Sequence, residues 1–242
     1  MDILRFTLTG RTAFFKKPEV NTYYYFSFGN IHKVALLGIL GAILGYKGYS
    51  DTKKNNDDLP EFYSKLKNIE HSIVPKNKFG FINKKIQQFN NSVGYASREL
   101  GGNLIVKEQW LENPQWDIYI KLNIDIADKL ADSIINNKCV YIPYLGKNDH
   151  PANICDAKIL HECNISTHYT SINSLFLKDL VEYADIDYIL CEKLFKYEES
   201  LPVGLDEDTH MYYYNTFVNT NLPVKKYHGV VYEADGNNIV FS

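Results

Sequence analysis

The 242-residue sequence lacks the patterns that mark several large enzyme classes. Its four cysteines form no Cys-x-x-Cys pair, and the chain contains neither a Gly-x-Ser-x-Gly elbow nor a Gly-Lys-Ser or Gly-Lys-Thr phosphate loop. These absences argue against a zinc site, a serine-hydrolase site and nucleoside-triphosphate chemistry. The acidic runs, such as Asp206-Glu207-Asp208, are typical of solvated loops. We therefore expect no metal and no cofactor.

The chain also lacks an apolar run of membrane-spanning length. The most apolar stretch, VALLGILGAILG over Val34 to Gly45, has a dozen residues, whereas a span takes about twenty. The first residues, MDILRFTLTG, alternate like a strand and contain no signal-peptide core. We therefore expect a buried helix, no membrane contact and a cytoplasmic protein with reduced thiols.

Tryptophan is scarce, with 2 residues, but tyrosine and phenylalanine are abundant, with 19 and 13. Rings at this density favour β-structure and, less specifically, stacking on nucleic-acid bases. Charge is divided along the chain: residues 1–54 hold 8 Lys and Arg against 3 Asp and Glu, and residues 155–242 hold 6 against 14. The first part can therefore hold a polyanion, while the acidic last third faces solvent or a basic partner.

Hydrophobic patterns of strand and helix type follow one another in the order β-α-β-β-α-β. Strands are predicted at 3–8, 66–74, 116–122 and 154–162, and helices at 31–46 and around the apolar stripe 127–135. This order is the split βαβ arrangement of an α+β, ferredoxin-like (RRM-like) domain. Two helices cover one face of such a sheet, and we expect the other face to be open, as in RNA-recognition modules.

Residues 76–113 interrupt this order. They are basic, rich in asparagine and broken by glycines, and they lack a continuous apolar face, which predicts a protruding arm. We assign residues 1–162 to the ferredoxin-like domain, with the arm as an insertion, and residues 163–242 to a C-terminal β-rich region. There we expect a helix near 172–183, strands around 188–197 and 211–218, and a hairpin turn at 235–236.

Several residues have side chains suited to a metal-free RNA site. His32 and Lys33 lie at the predicted start of the first helix, where backbone amides favour a phosphate. With the tyrosine run 23–25, Lys147 and His150, they offer a base for proton transfer and a cation for a phosphate. The same groups serve equally well for binding alone. From these residues, RNA cleavage and RNA binding are both open.

Two stretches resemble the N-terminal signature of the CRISPR-associated Cas-five family, and in particular its type I-B members. They are FTLTGRTAFFKKPEVN at 6–21 and HKVALLGILGAILG at 32–45. Weaker similarity continues through KEQWLENP at 107–114, PYLGKNDHPA at 143–152 and YEESLPV at 197–203.

The resemblance implies a RAMP protein with a ferredoxin-like fold and a thumb-like insertion. It implies a non-catalytic subunit of the Cascade surveillance complex of antiviral defence, which grips the 5′ handle of crRNA and caps one end of the complex. The expected partners are crRNA, the backbone subunit and the large PAM-reading subunit, with target DNA contacted only indirectly. The alternative is a metal-independent endoribonuclease that processes repeat RNA, as in the type I-C branch. A scaffold that binds only protein is disfavoured by the charge distribution.

The residues expected to contact RNA supply cations for phosphates and polar or aromatic groups for unstacked bases. They are Arg11, Lys16, Lys17, Asn21, Tyr23, His32, Lys33, Gly38 and Lys147, with Lys84, Lys85 and Arg98 on the thumb.

Gly38 is included because glycine weakens a helix interior by about 1 kcal/mol relative to alanine. Gly38, Gly41 and Gly45 share one face of the first predicted helix, so a neighbour must approach that face closely. We expect the sheet at Gly41 and Gly45, and RNA at Gly38.

Overall fold

The computed structural model describes residues 1–19, 23–49, 59–161, 163–185 and 193–242. Its helices are α1 (Lys33–Leu44), α2 (Glu61–Leu66) and α3 (Asp125–Ile135). Its strands are β1 (Ile3–Thr9), β2 (Thr12–Ala13), β3 (His71–Pro75), β4 (Lys84–Asn90), β5 (Ile105–Glu112), β6 (Gln115–Lys121), β7 (Asn153–Leu160), β8 (Asn164–Ile165), β9 (Phe176–Leu177), β10 (Val181–Tyr183), β11 (Lys196–Leu205), β12 (Tyr212–Thr220), β13 (Val224–Tyr227), β14 (Tyr232–Ala234) and β15 (Asn237–Ile239).

The central sheet has the strand order β3-β6-β1-β7, with every neighbouring pair antiparallel. Helix α1 follows β1, and α3 connects β6 to β7, which completes the βαββαβ topology of a ferredoxin-like domain. The predicted α+β, ferredoxin-like fold with an insertion and a β-rich C-terminal part is confirmed. The domain limits at residues 162 and 163 stay predictions.

Helix α1 is apolar around almost its whole circumference because other elements surround it. It packs against α2, α3 and β11, and Leu36, Leu37 and Leu40 are fully buried. Gly45 ends the helix in the left-handed conformation, with φ 82°, which glycine adopts without a steric penalty. Over the described ranges, no helix combines the length and apolarity that a bilayer crossing requires.

A short helix precedes β3 where a longer strand was predicted, at 66–74. Residues 61–66 form α2, whose Phe62, Tyr63 and Leu66 are buried, and the strand begins only at His71. This apolar face and an i,i+4 ion pair between Glu61 and Lys65, 2.7 Å apart, both favour a helical turn.

The second face of the central sheet is covered, which corrects the expectation of an open face. The β14–β15 hairpin turns at 235–236, as predicted, and packs Ala234 and Ile239 against Ile3 and Tyr119. Both Ile3 and Tyr119 are fully buried. Bases therefore have no access to these positions of the sheet.

A charged network lies on the same covered face. Asp117 accepts a hydrogen bond from Thr7 at 2.8 Å and pairs with Arg5 at 2.7 Å and Lys76 at 3.1 Å. Burial raises the pKa of Asp117, but the hydrogen bonds from Thr7, Lys76 and Arg5 outweigh it and hold the pKa below its ordinary value. This carboxylate is a structural group of the sheet.

The C-terminal part is built of strands, and the helix predicted near 172–183 is wrong. Strand β9 pairs with β12, and β10 pairs with β13, so the apolar residues of this stretch enter different hydrophobic clusters instead of lining one helix face. Strand β12 matches the prediction at 211–218. Strand β11 begins at Lys196, and residues 188–192 of the predicted strand at 188–197 lie outside the described residues.

The insertion is a β-hairpin in which β4 and β5 pair over seven residues each. Strand β2 adds to β5 at the root of the hairpin. The end far from this root exposes apolar side chains, among them Tyr95 and Leu100. The hairpin projects from the central sheet between β3 and β6, in the place predicted for the arm.

Candidate nucleic-acid interface

The segment 23–28 joins the N-terminal residues to strand β5 of the hairpin. The Lys17 amide donates to the Phe26 carbonyl at 2.8 Å, and the Tyr25 amide donates to the Lys107 carbonyl at 2.9 Å. Because both sides are hydrogen-bonded, the tyrosines of this segment are held between a basic stretch and the hairpin.

Lysines and aromatic rings alternate on this surface. The Lys16 ammonium lies 4.1 Å from the ring centroid of Tyr25, and the Lys107 ammonium lies 5.5 Å from that of Tyr24. Tyr23 is 77% exposed. Cations beside exposed rings are the combination that binds phosphates and stacks on unpaired bases.

A groove of about 1190 Å³ opens beside this surface. Its walls are α1, the hairpin through Phe89 and Val106, and the loop 140–149. A pocket for one small molecule typically measures about 300 to 1000 Å³, so this groove suits a longer ligand. We call this cavity the groove.

The wall formed by α1 combines three small residues with Val34 and Ile39. Ala35, Gly38 and Ala42 line the groove, and each is half-buried while the rest of the helix is packed. Among the described residues, a Cβ added at Gly38 would meet Phe62 alone, at 3.9 Å. The protein itself therefore leaves room for a side chain at this glycine.

The other two glycines have neighbours different from those expected. A Cβ at Gly41 would lie 2.5 Å from the Phe62 Cβ, and one at Gly45 would lie 2.9 Å from a Val140 methyl group. The close neighbours are thus α2 and the loop after α3, not the central sheet.

Among the described residues, three lysines line the groove: Lys16, Lys47 and Lys147. Lys147 is held by the buried Glu108 at 3.0 and 3.2 Å, which neutralises part of its charge, whereas Lys47 is exposed. Lys16 and Lys147 are predicted contacts. Lys47 was missed, and its position just after the apolar run of α1 was the only signal for it.

His32 is at the helix start, as predicted, but its role there is structural. Its Nδ1 accepts a hydrogen bond from the Ala35 amide at 3.3 Å, and the residue is 4% exposed. Burial lowers the pKa of His32 to about 3, so the ring is neutral. This burial argues against the predicted phosphate contact at His32.

His150 is buried as well. Its Nδ1 lies 2.7 Å from the Thr12 hydroxyl, and its ring meets Trp110 edge-on with 4.6 Å between centroids. Burial, and then the nearby Lys147 charge, lower the pKa of His150. The ring therefore fastens the loop 143–151 to the root of the hairpin.

Lys17 and Lys84 lie near Glu199. The Lys17 ammonium is 3.3 Å from the Glu199 carboxylate, and burial lowers the pKa of Lys84 although Glu199 opposes this effect. Glu199 also accepts a hydrogen bond from the Gly29 amide at 2.8 Å. These predicted contacts therefore help to fasten β11 to the N-terminal segment.

The remaining predicted contacts are dispersed. Lys33 borders a small internal cavity beside His71, and burial lowers its pKa. Lys85 pairs with Glu112 at 3.7 Å. Arg11 and Arg98 are exposed, the latter in a turn at the far end of the hairpin. Asn21 lies outside the described residues.

The sequence matches no protein-family model and no curated protein. The fold, however, is similar to that of solved structures. One is a chain of a "CRISPR RNA-guided surveillance complex", with a TM-score of 0.50 and 9% identity over 91% of this chain and 90% of that chain. Another is a CRISPR protein from Archaeoglobus fulgidus, with a TM-score of 0.51 and 12% identity over 99% of this chain and 98% of that chain. The chain therefore shares its fold, over nearly its whole length, with CRISPR-associated proteins.

Proposed function

We propose that this chain is a non-catalytic, RNA-binding subunit of a cytoplasmic CRISPR surveillance complex of the type I-B Cascade kind. In this proposal the groove and the adjoining surface grip the 5′ handle of crRNA. The chain caps the complex beside its backbone subunit and its large PAM-reading subunit, and it meets target DNA only through them.

The observation that carries the proposal is that lysines and exposed aromatic rings line the same groove. Lys16 and Lys47 share one cavity with the exposed rings of Tyr25 and Tyr141. One RNA strand could therefore place its phosphates on the lysines and stack its unpaired bases on the rings. The fold shared with a chain of an RNA-guided complex supports RNA as the ligand. The acidic last third, which would repel RNA, is left for protein partners.

The proposal of a non-catalytic role is supported by the state of the two histidines that a metal-free ribonuclease would use. His32 is 4% exposed and His150 is 1% exposed. A general base must come within hydrogen-bond reach of the proton that it removes. In the described structure, both rings are enclosed by the protein.

The proposal is tested by the salt dependence of binding to the CRISPR repeat RNA of the source genome. Each phosphate contact on a single strand contributes about 0.7 to the slope of log affinity against log salt. The double variant Lys16→Ala, Lys47→Ala is expected to flatten the slope by about 1.4. Lys225→Ala with Lys226→Ala, two exposed lysines of β13, is the control and leaves the slope unchanged.

An equal slope in the wild type and the groove variant would reject the groove as the RNA site. The same RNA, incubated with the protein in EDTA, is expected to stay intact. A discrete cleavage product that disappears in His150→Ala would support the ribonuclease instead.

A further inference from the structure

The loop 140–144 exposes more apolar surface than any packing role explains. Val140, Tyr141, Ile142 and Tyr144 are 64, 55, 79 and 46% exposed, although they are nearly consecutive. Exposed apolar clusters of this kind mark binding sites more often than chance.

The loop is rigidly held. The amides of Val140 and Tyr141 donate to the carbonyls of Ile43 and Ala42 at 3.0 Å each, and these carbonyls belong to the last turn of α1, where intrahelical donors are missing. Beyond this contact, the Ala152 amide donates to the Pro143 carbonyl at 3.1 Å. The exposed rings are thus presented by a backbone that loses little freedom when a ligand binds.

Three of these side chains, Tyr141, Ile142 and Tyr144, form one wall of the groove. Tyr141 and Tyr144 line it together with Phe89 of the hairpin, and Lys16 and Lys47 line it too. A strand whose phosphates meet the lysines would have its bases within the same cavity as these rings. This arrangement favours bases over a protein segment as the partner of the loop, because lysines in the cavity suit a polyanion.

We propose that Tyr141 and Tyr144 are stacking platforms for unpaired RNA bases, an inference that rests on the proposed function of the groove. Stacking on a ring is tolerant of sequence, since every base has a π face. Removal of a ring typically weakens binding by about 5-fold to about 150-fold per base. The contact carries no charge, so it leaves the salt dependence unchanged.

The test compares Tyr141→Ala and Tyr144→Ala with Tyr141→Phe and Tyr144→Phe in binding the repeat RNA. The alanine variants are expected to lose about 5-fold to 150-fold in affinity with the wild-type salt slope, while the phenylalanine variants bind like the wild type. In the wild type, 2-aminopurine placed in the RNA is expected to lose fluorescence on binding, and this quenching weakens in the alanine variants.

The outcomes separate this inference from the proposed function. RNA binding that depends on Lys16 and Lys47 but is unchanged in both alanine variants would overturn the stacking role alone. Wild-type RNA affinity in variants that no longer co-purify with partner subunits would identify the loop as a protein contact and would also overturn it. A salt slope that is equal in the wild type and the lysine variant would overturn the function proposed for the groove.

Discussion

Gly38 and Gly41 lie one turn apart on α1, but their surroundings differ sharply. A Cβ at Gly41 would lie 2.5 Å from the Cβ of Phe62 and 3.6 Å from its Cα, whereas a Cβ at Gly38 would have its nearest neighbour at 3.9 Å. Contacts between carbon atoms are favourable at about 3.5 to 4.0 Å. Alanine at these two positions therefore separates helix propensity from packing.

Gly38→Ala is expected to stabilise the protein by about 1 kcal/mol, because alanine is the better helix former and its methyl group makes an ordinary contact. Gly41→Ala gains the same propensity but forces α2 away from α1, and overpacking of this kind costs about 1 to 3 kcal/mol. In a chain of this size 1 kcal/mol shifts the melting temperature by about 2 to 4 °C. Gly38→Ala should therefore melt about 2 to 4 °C above the wild type. The melting temperature of Gly41→Ala should lie below that of Gly38→Ala by at least as much.

Thermal melting of the two variants and the wild type, followed by circular dichroism in one buffer, measures this difference. Each variant is the control for the other, since both add a single methyl group to the same helix. Equal melting temperatures for Gly38→Ala and Gly41→Ala would refute the packing of α2 on α1 described above.

Three further predictions follow from the site and the sheet. Gly38→Leu should fold with at least wild-type stability but bind repeat RNA more weakly in fluorescence anisotropy, because its side chain enters the groove; unchanged affinity would place the RNA elsewhere. Asp117→Ala should lower the free energy of denaturant unfolding by about 1 to 3 kcal/mol, because the buried Thr7 hydroxyl and the mostly buried Arg5 guanidinium lose their closest acceptor, while the salt slope of RNA binding stays the same. The pKa of His32 is about 3 in the folded protein, below the unfolded value of about 6.5. The stability that the neutral His32 ring contributes is therefore complete above pH 6.5. It is lost as the pH falls towards 3, by about 1.4 kcal/mol per pH unit. His32→Asn, which keeps a capping side chain, should remove this part of the pH dependence, and an unchanged dependence would contradict the burial of the ring.

The elements that the sequence predicts correctly are those with a strong local pattern. Strand β6 alternates cleanly, α3 carries a single apolar stripe, and α1 is apolar on nearly all sides, as a helix enclosed by other elements must be. Their order then suffices for the ferredoxin-like topology.

What the sequence does not predict depends on contacts between distant segments. The turn at 235–236 is evident locally, but nothing in its pattern indicates that β14 and β15 cover the central sheet. The apolar residues near Phe176 resemble a helix face, yet β9 and β10 pair with different strands, so tertiary pairing overrides local preference.

The candidate site shows the same division. Lys16, Gly38 and Lys147, which the sequence motifs indicate, line the groove. His32 also borders the groove but is only 4% exposed, and Lys33 borders a separate small cavity. The sequence does not indicate Tyr141 and Tyr144 as binding residues, because they lie in a loop without periodicity. Apolar residues in an irregular, proline-containing segment are a signal that a search for amphipathic faces does not detect.

Photocrosslinking of 4-thiouridine-containing repeat RNA to the pure chain, followed by mass spectrometry of the linked peptides, tests the central claim most directly. The account predicts links at residues 16–19 and 23–25, at Lys47, at Phe89 and Val106 of the hairpin and at 141–147, because these described parts of the chain line or adjoin the groove. Links confined to residues 163–242, or to the central sheet beneath the β14–β15 hairpin, would contradict it.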